Sequence, residues 1–237
     1  MKKYELTAEF IEKWGKKLFR IKALIGFGSV EAGELGGYVE KEDNLAQNGN
    51  ARVCDNAWVY GNARVYGNAW VYGNARVYGN AWVFDDAEVY GNAKVCGDAK
   101  VCGDAEVYGN ARVYGNAWVC DNAWVCGNAW VYGDAKVYGN ARVYGNAWVY
   151  GDADYLLIGR IGSRFSFTTF FKNKDKGITV SCGCFLGTIA EFRAKVSDTH
   201  GNNKHAKIYN LAADMAELQI LGEEYFDKLN TNKSEPF

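Results

Sequence analysis

From Ala51 to Asp152 the chain repeats every six residues, as seventeen consecutive hexads of the form Ala-x-Val-y-(Gly/Asp)-(Asn/Asp) with no insertion or deletion. Ala recurs at 51, 57, 63 and onward to 153, and Val at 53, 59, 65 and onward to 149. A helix of 3.6 residues per turn would smear such a period around its circumference. An extended chain accommodates it. Residues two apart share a face, so Ala and Val point one way and x and y the other, while the Gly-Asn or Asp-Asn pair tolerates the backbone angles of a tight corner. Short strands joined by identical corners close only as a solenoid, each coil pairing its backbone with the coils above and below.

The units Val-Tyr-Gly-Asn-Ala-Arg, Val-Tyr-Gly-Asn-Ala-Trp and Val-Cys-Gly-Asp-Ala-Lys resemble the hexapeptide repeat of left-handed parallel β-helix proteins. The resemblance implies three hexads, or 18 residues, per triangular coil, and it alone supplies the handedness. Counting Leu45–Asn50 as an imperfect hexad gives six coils, roughly 28 Å tall at ~4.7 Å each. The expected fold class is an all-β solenoid, a left-handed parallel β-helix of hexapeptide repeats, with a small C-terminal α+β domain. Its expected divisions are a 1–44 N-terminal cap, the 45–153 β-helix and a 154–237 C-terminal domain.

The N-terminal segment carries Phe19-Arg20-Ile21-Lys22-Ala23-Leu24, Gly26-Phe27-Gly28, Ala32-Gly33-Glu34-Leu35-Gly36-Gly37-Tyr38 and Glu40-Lys41-Glu42-Asp43-Asn44-Leu45. It is similar to the leader of the YdcK-like hexapeptide-repeat proteins, and with the repeat this resemblance spans about two-thirds of the chain. It implies fold and a phage or prophage setting, with no established activity to transfer. The Gly-rich stretch lacks Gly-Lys-Ser/Thr, so a turn-rich cap over the first coil is expected in place of a phosphate loop.

After Asp154 the period stops. Tyr155–Ile161, Phe165–Phe171 and Ile178–Phe185 read as strands, with 172–177 as a polar turn. Thr188 and Glu191 form a capping box for a helix to about Thr199. A second helix, about His205 to Phe226, places Ile208, Leu211, Met215, Leu218 and Leu221 on one stripe.

Stacking by 18 assigns the outward residues to three faces. The first carries Arg52, Trp70, Glu88, Glu106, Trp124 and Arg142, the second Trp58, Arg76, Lys94, Arg112, Trp130 and Trp148, and the third Arg64, Trp82, Lys100, Trp118, Lys136 and Asp154. Tyrosines at the y position add ladders such as Tyr72-Tyr90-Tyr108 and Tyr114-Tyr132-Tyr150. Soluble monomers seldom expose contiguous apolar patches beyond several hundred Å². Self-association covers such faces, and the resemblance favours a homotrimer. Stacked rings with Lys and Arg stems across them also stabilise a face unaided. The functional reading is a preorganised platform, because Trp, Tyr and Arg dominate binding hot spots. Its candidate partner-binding residues are Trp58, Arg76, Lys94, Arg112, Trp130 and Trp148. Such a basic line flanked by Trp also suits a phosphate backbone. With 27 Lys+Arg against 28 Asp+Glu, though, the chain has no cationic excess for general nucleic-acid or anionic-membrane binding.

Enzyme chemistry finds little support. Hexapeptide acyltransferases resembling this repeat use a histidine base and an extruded loop, but the hexads contain neither, and both histidines lie C-terminal. Ice binding favours Thr ladders, which the repeat lacks. Cys54, Cys96, Cys102, Cys120 and Cys126 occupy y positions. Cys102 stacks on Cys120 within disulfide range, yet a reducing compartment predicts free thiols. Cys182, Cys184, His200 and His205 form the one metal-like constellation, but Cys-x-Cys is unusual for structural zinc and places both thiols on one strand face, so a buried strand is expected and no cofactor or metal. Arg160, Ser163 and Arg164, with Thr168 and Thr169, form a candidate anion or nucleotide site.

The expected function is a non-enzymatic scaffold or protein-binding platform. The resemblance adds a phage or prophage accessory factor that binds and inhibits a host defence protein. The alternatives are a binder or sequestering protein for a phosphate-bearing small ligand, and a diverged hexapeptide acyltransferase. No apolar run approaches the ~20 residues of a membrane span, and Met1-Lys2-Lys3 leads into charged sequence, so a cytoplasmic location is expected.

Overall fold

The computed structural model describes residues 1–222. An antiparallel pair, β1 (Tyr4–Lys13) and β2 (Lys16–Ala23), leads into β3 (Leu35–Val39). Seventeen two-residue strands follow at six-residue spacing, β4 (Arg52–Val53) through β20 (Trp148–Val149). The C-terminal part contains β21 (Tyr155–Ile161), β22 (Ser166–Lys172), β23 (Ile178–Cys182) and β24 (Phe185–Thr188), then α1 (Ile189–His200) and α2 (Lys204–Leu221).

The coils pair in parallel at a separation of 18 residues, Arg76 with Lys94, Lys94 with Arg112 and Arg112 with Trp130. The chain is thus a β-solenoid with three sheets, of nine, six and five strands, the nine-stranded one continuing through β3 and β2 to β1. Every Ala and Val of the hexads from Ala51 to Val149 is buried in one continuous core. Such small, β-branched residues fill the narrow triangular interior with unstrained rotamers. The corners are built for stacking. Asn62 Nδ2 donates to Asn80 Oδ1 at 3.2 Å, and Asn80 Nδ2 to Asp98 Oδ1 at 2.9 Å. Where Asp55, Asp85 and Asp121 replace Gly at left-handed corners, their carboxylates accept the amide one coil on, from Gly73, Gly103 and Gly139.

The first coil departs from the hexad register. Leu45 pairs with Val65, and Val39 with Val59, separations of 20 rather than 18. Leu45 therefore takes the aliphatic core position that the imperfect-hexad reading gave to Gln47. Gln47 instead accepts from the Lys3 amide at 2.8 Å and donates to the Tyr4 carbonyl at 3.2 Å. The Lys3 side chain is buried, with Nζ donating to the Ala51 carbonyl at 2.8 Å and lying 4.5 Å from the Phe27 ring centroid. Burial lowers its pKa to about 8. The Gly-rich stretch serves close packing, since a Cβ on Gly37 would stand 2.7 Å from the Ala57 carbonyl oxygen.

The C-terminal part closes the last coil. Phe171 and Tyr155 join the solenoid core, the Arg142 amide donates to Thr169 Oγ1 at 3.1 Å, and Ser181 Oγ donates to Tyr144 Oη at 3.0 Å. An otherwise open sheet edge and an exposed apolar interior are both covered. A second core forms between the antiparallel sheet β21-β22-β23-β24 and the helices, around Phe170, Val180, Phe192, Tyr209 and Ala213. Thr188 and Glu191 make the reciprocal capping box of α1.

Four expectations are corrected here. Ile178–Phe185 is two strands, because Gly183 (φ 61°) and Cys184 turn between them, so the two thiols do not share a strand face. The stripe Ile208, Leu211, Met215 and Leu218 of α2 is exposed, and the buried face is Ala206, Tyr209, Ala212, Ala213, Ala216, Glu217 and Ile220. The expected end of this helix at Phe226 lies outside the described residues. Asp154 leaves the third face for a short 3-10 turn, where it accepts from the Tyr150 amide at 2.8 Å and from Lys172 Nζ at 2.9 Å. Finally, Cys102 and Cys120 are joined by a disulfide, with Cα atoms 4.6 Å apart, in place of the expected free thiols.

Candidate functional site

The six candidate residues of the second face stand in one ladder, Trp58, Arg76, Lys94, Arg112, Trp130 and Trp148, each directly over the next. Regular stacking governs their chemistry. Arg76 lies 4.3 Å from the Trp58 centroid and 5.9 Å from that of Trp14, which the β1–β2 turn delivers to the face. Arg112 lies 4.7 Å from the Trp130 centroid, and Trp130 stacks on Trp148 at 5.6 Å. Among the described residues none of Arg76, Lys94 and Arg112 forms an ion pair. Alongside run Tyr60–Tyr78 and Tyr114–Tyr132, stacked at 5.0 and 5.1 Å, with Cys96 between the two pairs. Burial pushes the Cys96 thiol pKa up, and that of Tyr78 more strongly. Trp14 is a contact that sequence spacing gave no means of finding, since it lies outside the repeat.

The other faces differ in what is left unsatisfied. On the first, Tyr72 and Tyr90 donate to Glu88 and Glu106 at 3.1 and 2.7 Å, and Arg52 and Arg142 lie 3.9 and 4.6 Å from the centroids of Trp70 and Trp124. Its two carboxylates are thus answered from within, while Arg52 Nε and Trp70 Nε1 are buried without a partner. On the third, Lys100 lies between Trp118 at 4.4 Å and Trp82 at 5.4 Å, beside the Cys102–Cys120 bridge. Trp82, Trp118 and Tyr138 on this face are exposed, at 38%, 42% and 50%.

The repeat segments 57–73, 69–85, 105–121 and 135–151 each match the YdcK Beta solenoid repeat. In these four segments the solenoid is similar to that repeat. These matches cover parts of all three faces of the solenoid and none of the C-terminal part. No curated protein matches the chain.

The C-terminal candidates regroup. Thr168 and Thr169 are buried structural groups: Thr168 Oγ1 donates to Cys182 Sγ at 3.2 Å, and Thr169 Oγ1 accepts from Arg142. They form no ligand site with Arg160, which is exposed on β21. Ser163 and Arg164 instead line a cleft of about 200 Å³ together with Cys182, Cys184 and His200. His205 lies outside that lining, its ring centroid 5.8 Å from that of His200. Among the described residues no group of three or more His, Cys, Asp or Glu is placed to hold a metal ion. Cys182 is occupied by Thr168 and Tyr209, and Cys184 stands in a turn, so the metal-like constellation does not assemble.

Proposed function

We propose that this protein is a non-enzymatic binding platform whose second face holds an acidic protein partner and whose third face associates with further copies of the chain as a homotrimer. The observation that carries the reading is the run of three adjacent cations on the second face, Arg76, Lys94 and Arg112, where the third face interleaves its cations with tryptophans. The first answers its own carboxylates. The second presents three stacked cations between tryptophans, with no carboxylate in the ladder.

A rigid sheet fixes these side chains before binding, so little rotamer entropy is lost on association. Arg and Trp at the centre of such a patch are the residue types whose truncation costs most in interfaces. The third face supports self-association through its exposed aromatics, in the manner of closed rotational assemblies that bury one repeated patch. A phage or prophage origin is part of the proposal through resemblance alone, and a cytoplasmic setting through the absence of a long apolar run.

The test uses two double variants. Proteins retained by the immobilised wild-type chain are identified and purified, and their affinity is measured for Arg112→Glu/Trp130→Ala and for Lys100→Glu/Trp118→Ala. The second-face variant is expected to lose at least about 2 kcal/mol, roughly thirtyfold, and the third-face variant to keep its partner while losing its assembly state. Equal retention by both would refute the assignment of faces.

A further inference from the structure

We propose that the cleft between the β23–β24 turn and α1 binds a small aromatic anion, a single ring carrying one phosphate or carboxylate group. The floor is an aromatic cluster. Phe185 and Phe192 have ring centroids 5.7 Å apart, Phe192 meets Tyr209 edge-on at 5.6 Å, and His200 stacks on Tyr209 at 5.7 Å with 29° between the planes. Arg164 and Lys195 stand on the rim, and no Asp or Glu lines the cleft. Neither cation forms an ion pair among the described residues.

The local backbone makes the site. Gly183, with φ 61°, turns β23 into β24, and Arg164 Nη1 lies 3.5 Å from where a Cβ on Gly183 would stand. The guanidinium is thereby laid over the turn. Tyr209 is buried, and its Oη lies 4.0 Å from Cys182 Sγ. Its hydroxyl packs against Gly162 beside Cys182, so Tyr209 serves the cleft through its ring. Burial raises the Tyr209 pKa to about 12, so the ring is uncharged at neutral pH.

Charge and size together select the ligand. Two unpaired cations and an imidazole without a carboxylate favour an anion, and converging donors on an apolar floor are the usual form of a ligand site. At about 200 Å³ the cleft is smaller than the roughly 300–1,000 Å³ that encloses a drug-sized molecule, and it matches one ring with one charged group. The site is separate from the solenoid faces, and its failure would leave the platform reading untouched.

Calorimetric titration of the full chain with phenyl phosphate, benzoate and inorganic phosphate tests this. Phenyl phosphate or benzoate is expected to bind one to one with a Kd on the order of 1 mM or tighter. Arg164→Gln and Lys195→Gln should each weaken it about tenfold with an unchanged circular dichroism spectrum, while Arg160→Gln, outside the cleft, changes nothing. Preference between the two aromatic probes separates phosphate from carboxylate as the natural group. Absence of binding at about ten times that Kd, inorganic phosphate binding as tightly as the ring compounds, or equal weakening by Arg160→Gln would overturn the proposal.

Discussion

Substituting Gly97 by Ala tests how the solenoid corners hold. Gly97 has φ 72° and lies in a column of stacked corner glycines with Gly61, Gly79, Gly115 and Gly133. A left-handed conformation costs an L residue about 1–2 kcal/mol. A Cβ at Gly97 would also stand 2.9 Å from the amide nitrogen and 3.0 Å from the carbonyl oxygen of Gly115 on the next coil. That carbonyl already accepts from the Asp98 amide at 2.8 Å, so it withdraws only by stretching a ladder bond. Overpacking adds about 1 kcal/mol, for a total near 2–3 kcal/mol. Gly97→Asp meets the same contact but gains an acceptor for the Gly115 amide, as Asp55 does for Gly73 at 3.0 Å. That bond returns about 1 kcal/mol, and the adjacent pair Asp85-Asp86 is already tolerated in this chain. Urea unfolding followed by far-ultraviolet circular dichroism should therefore rank wild type above Gly97→Asp, and Gly97→Asp above Gly97→Ala. An Ala variant within about 0.5 kcal/mol of wild type, or at least as stable as the Asp variant, would refute the corner argument.

Other outcomes follow from the same geometry. On α2, Leu211→Ser should change stability by no more than about 0.5 kcal/mol, whereas Ala213→Leu should cost about 1–3 kcal/mol, reversing the ranking that the large-residue stripe suggests. Arg193 Nη2 donates to Asp214 at 2.7 Å and to the buried Glu217 at 2.6 Å, so Arg193→Met should destabilise the C-terminal part far more than the exposed Lys2→Met, by about 3 kcal/mol in thermal unfolding. Lys3, with its folded pKa lowered to about 8, binds fewer protons folded than unfolded between pH 8 and its ordinary value of 10.5. Its burial penalty is therefore relieved as pH rises, and the stability of wild type relative to Lys3→Met should increase over that window. The tyrosines with raised pKa values act in the opposite sense but cancel in this difference. Reduction of Cys102–Cys120 opens an 18-residue loop. It should lower the unfolding free energy by no more than the ~3 kcal/mol of chain entropy, with intact-mass measurement confirming two added hydrogens.

The solenoid was legible because its signal is local and repeated: each hexad states which residues face inward and where the corner falls, and seventeen of them agree. The same reasoning placed the second-face ladder in register. What it missed depended on packing between elements distant in sequence. In α2 both stripes are apolar, and hydrophobic bulk alone favours burying Ile208, Leu211, Met215 and Leu218. The helix instead packs on β21 and β22 through Ala212, Ala213 and Ala216, where small side chains permit a close approach. The slip at Leu45 arises because the leader ties Gln47 to the Lys3 and Tyr4 backbone, a contact no hexad pattern encodes. In the sequence Arg164 and Cys182 fall in separate constellations. Only the turn at Gly183 brings them to one cleft with His200 and detaches Thr168 and Thr169 from it.

Photo-crosslinking within the producing cells tests the platform most directly. A photoreactive residue is placed singly at Glu88, Arg112 or Trp118, one on each face, and the adducts are identified by mass spectrometry. Position 112 is predicted to yield one recurring foreign protein, position 118 a second copy of this chain, and position 88 neither. The same adducts at all three positions, or none at 112, would contradict the assignment of the second face as the partner surface.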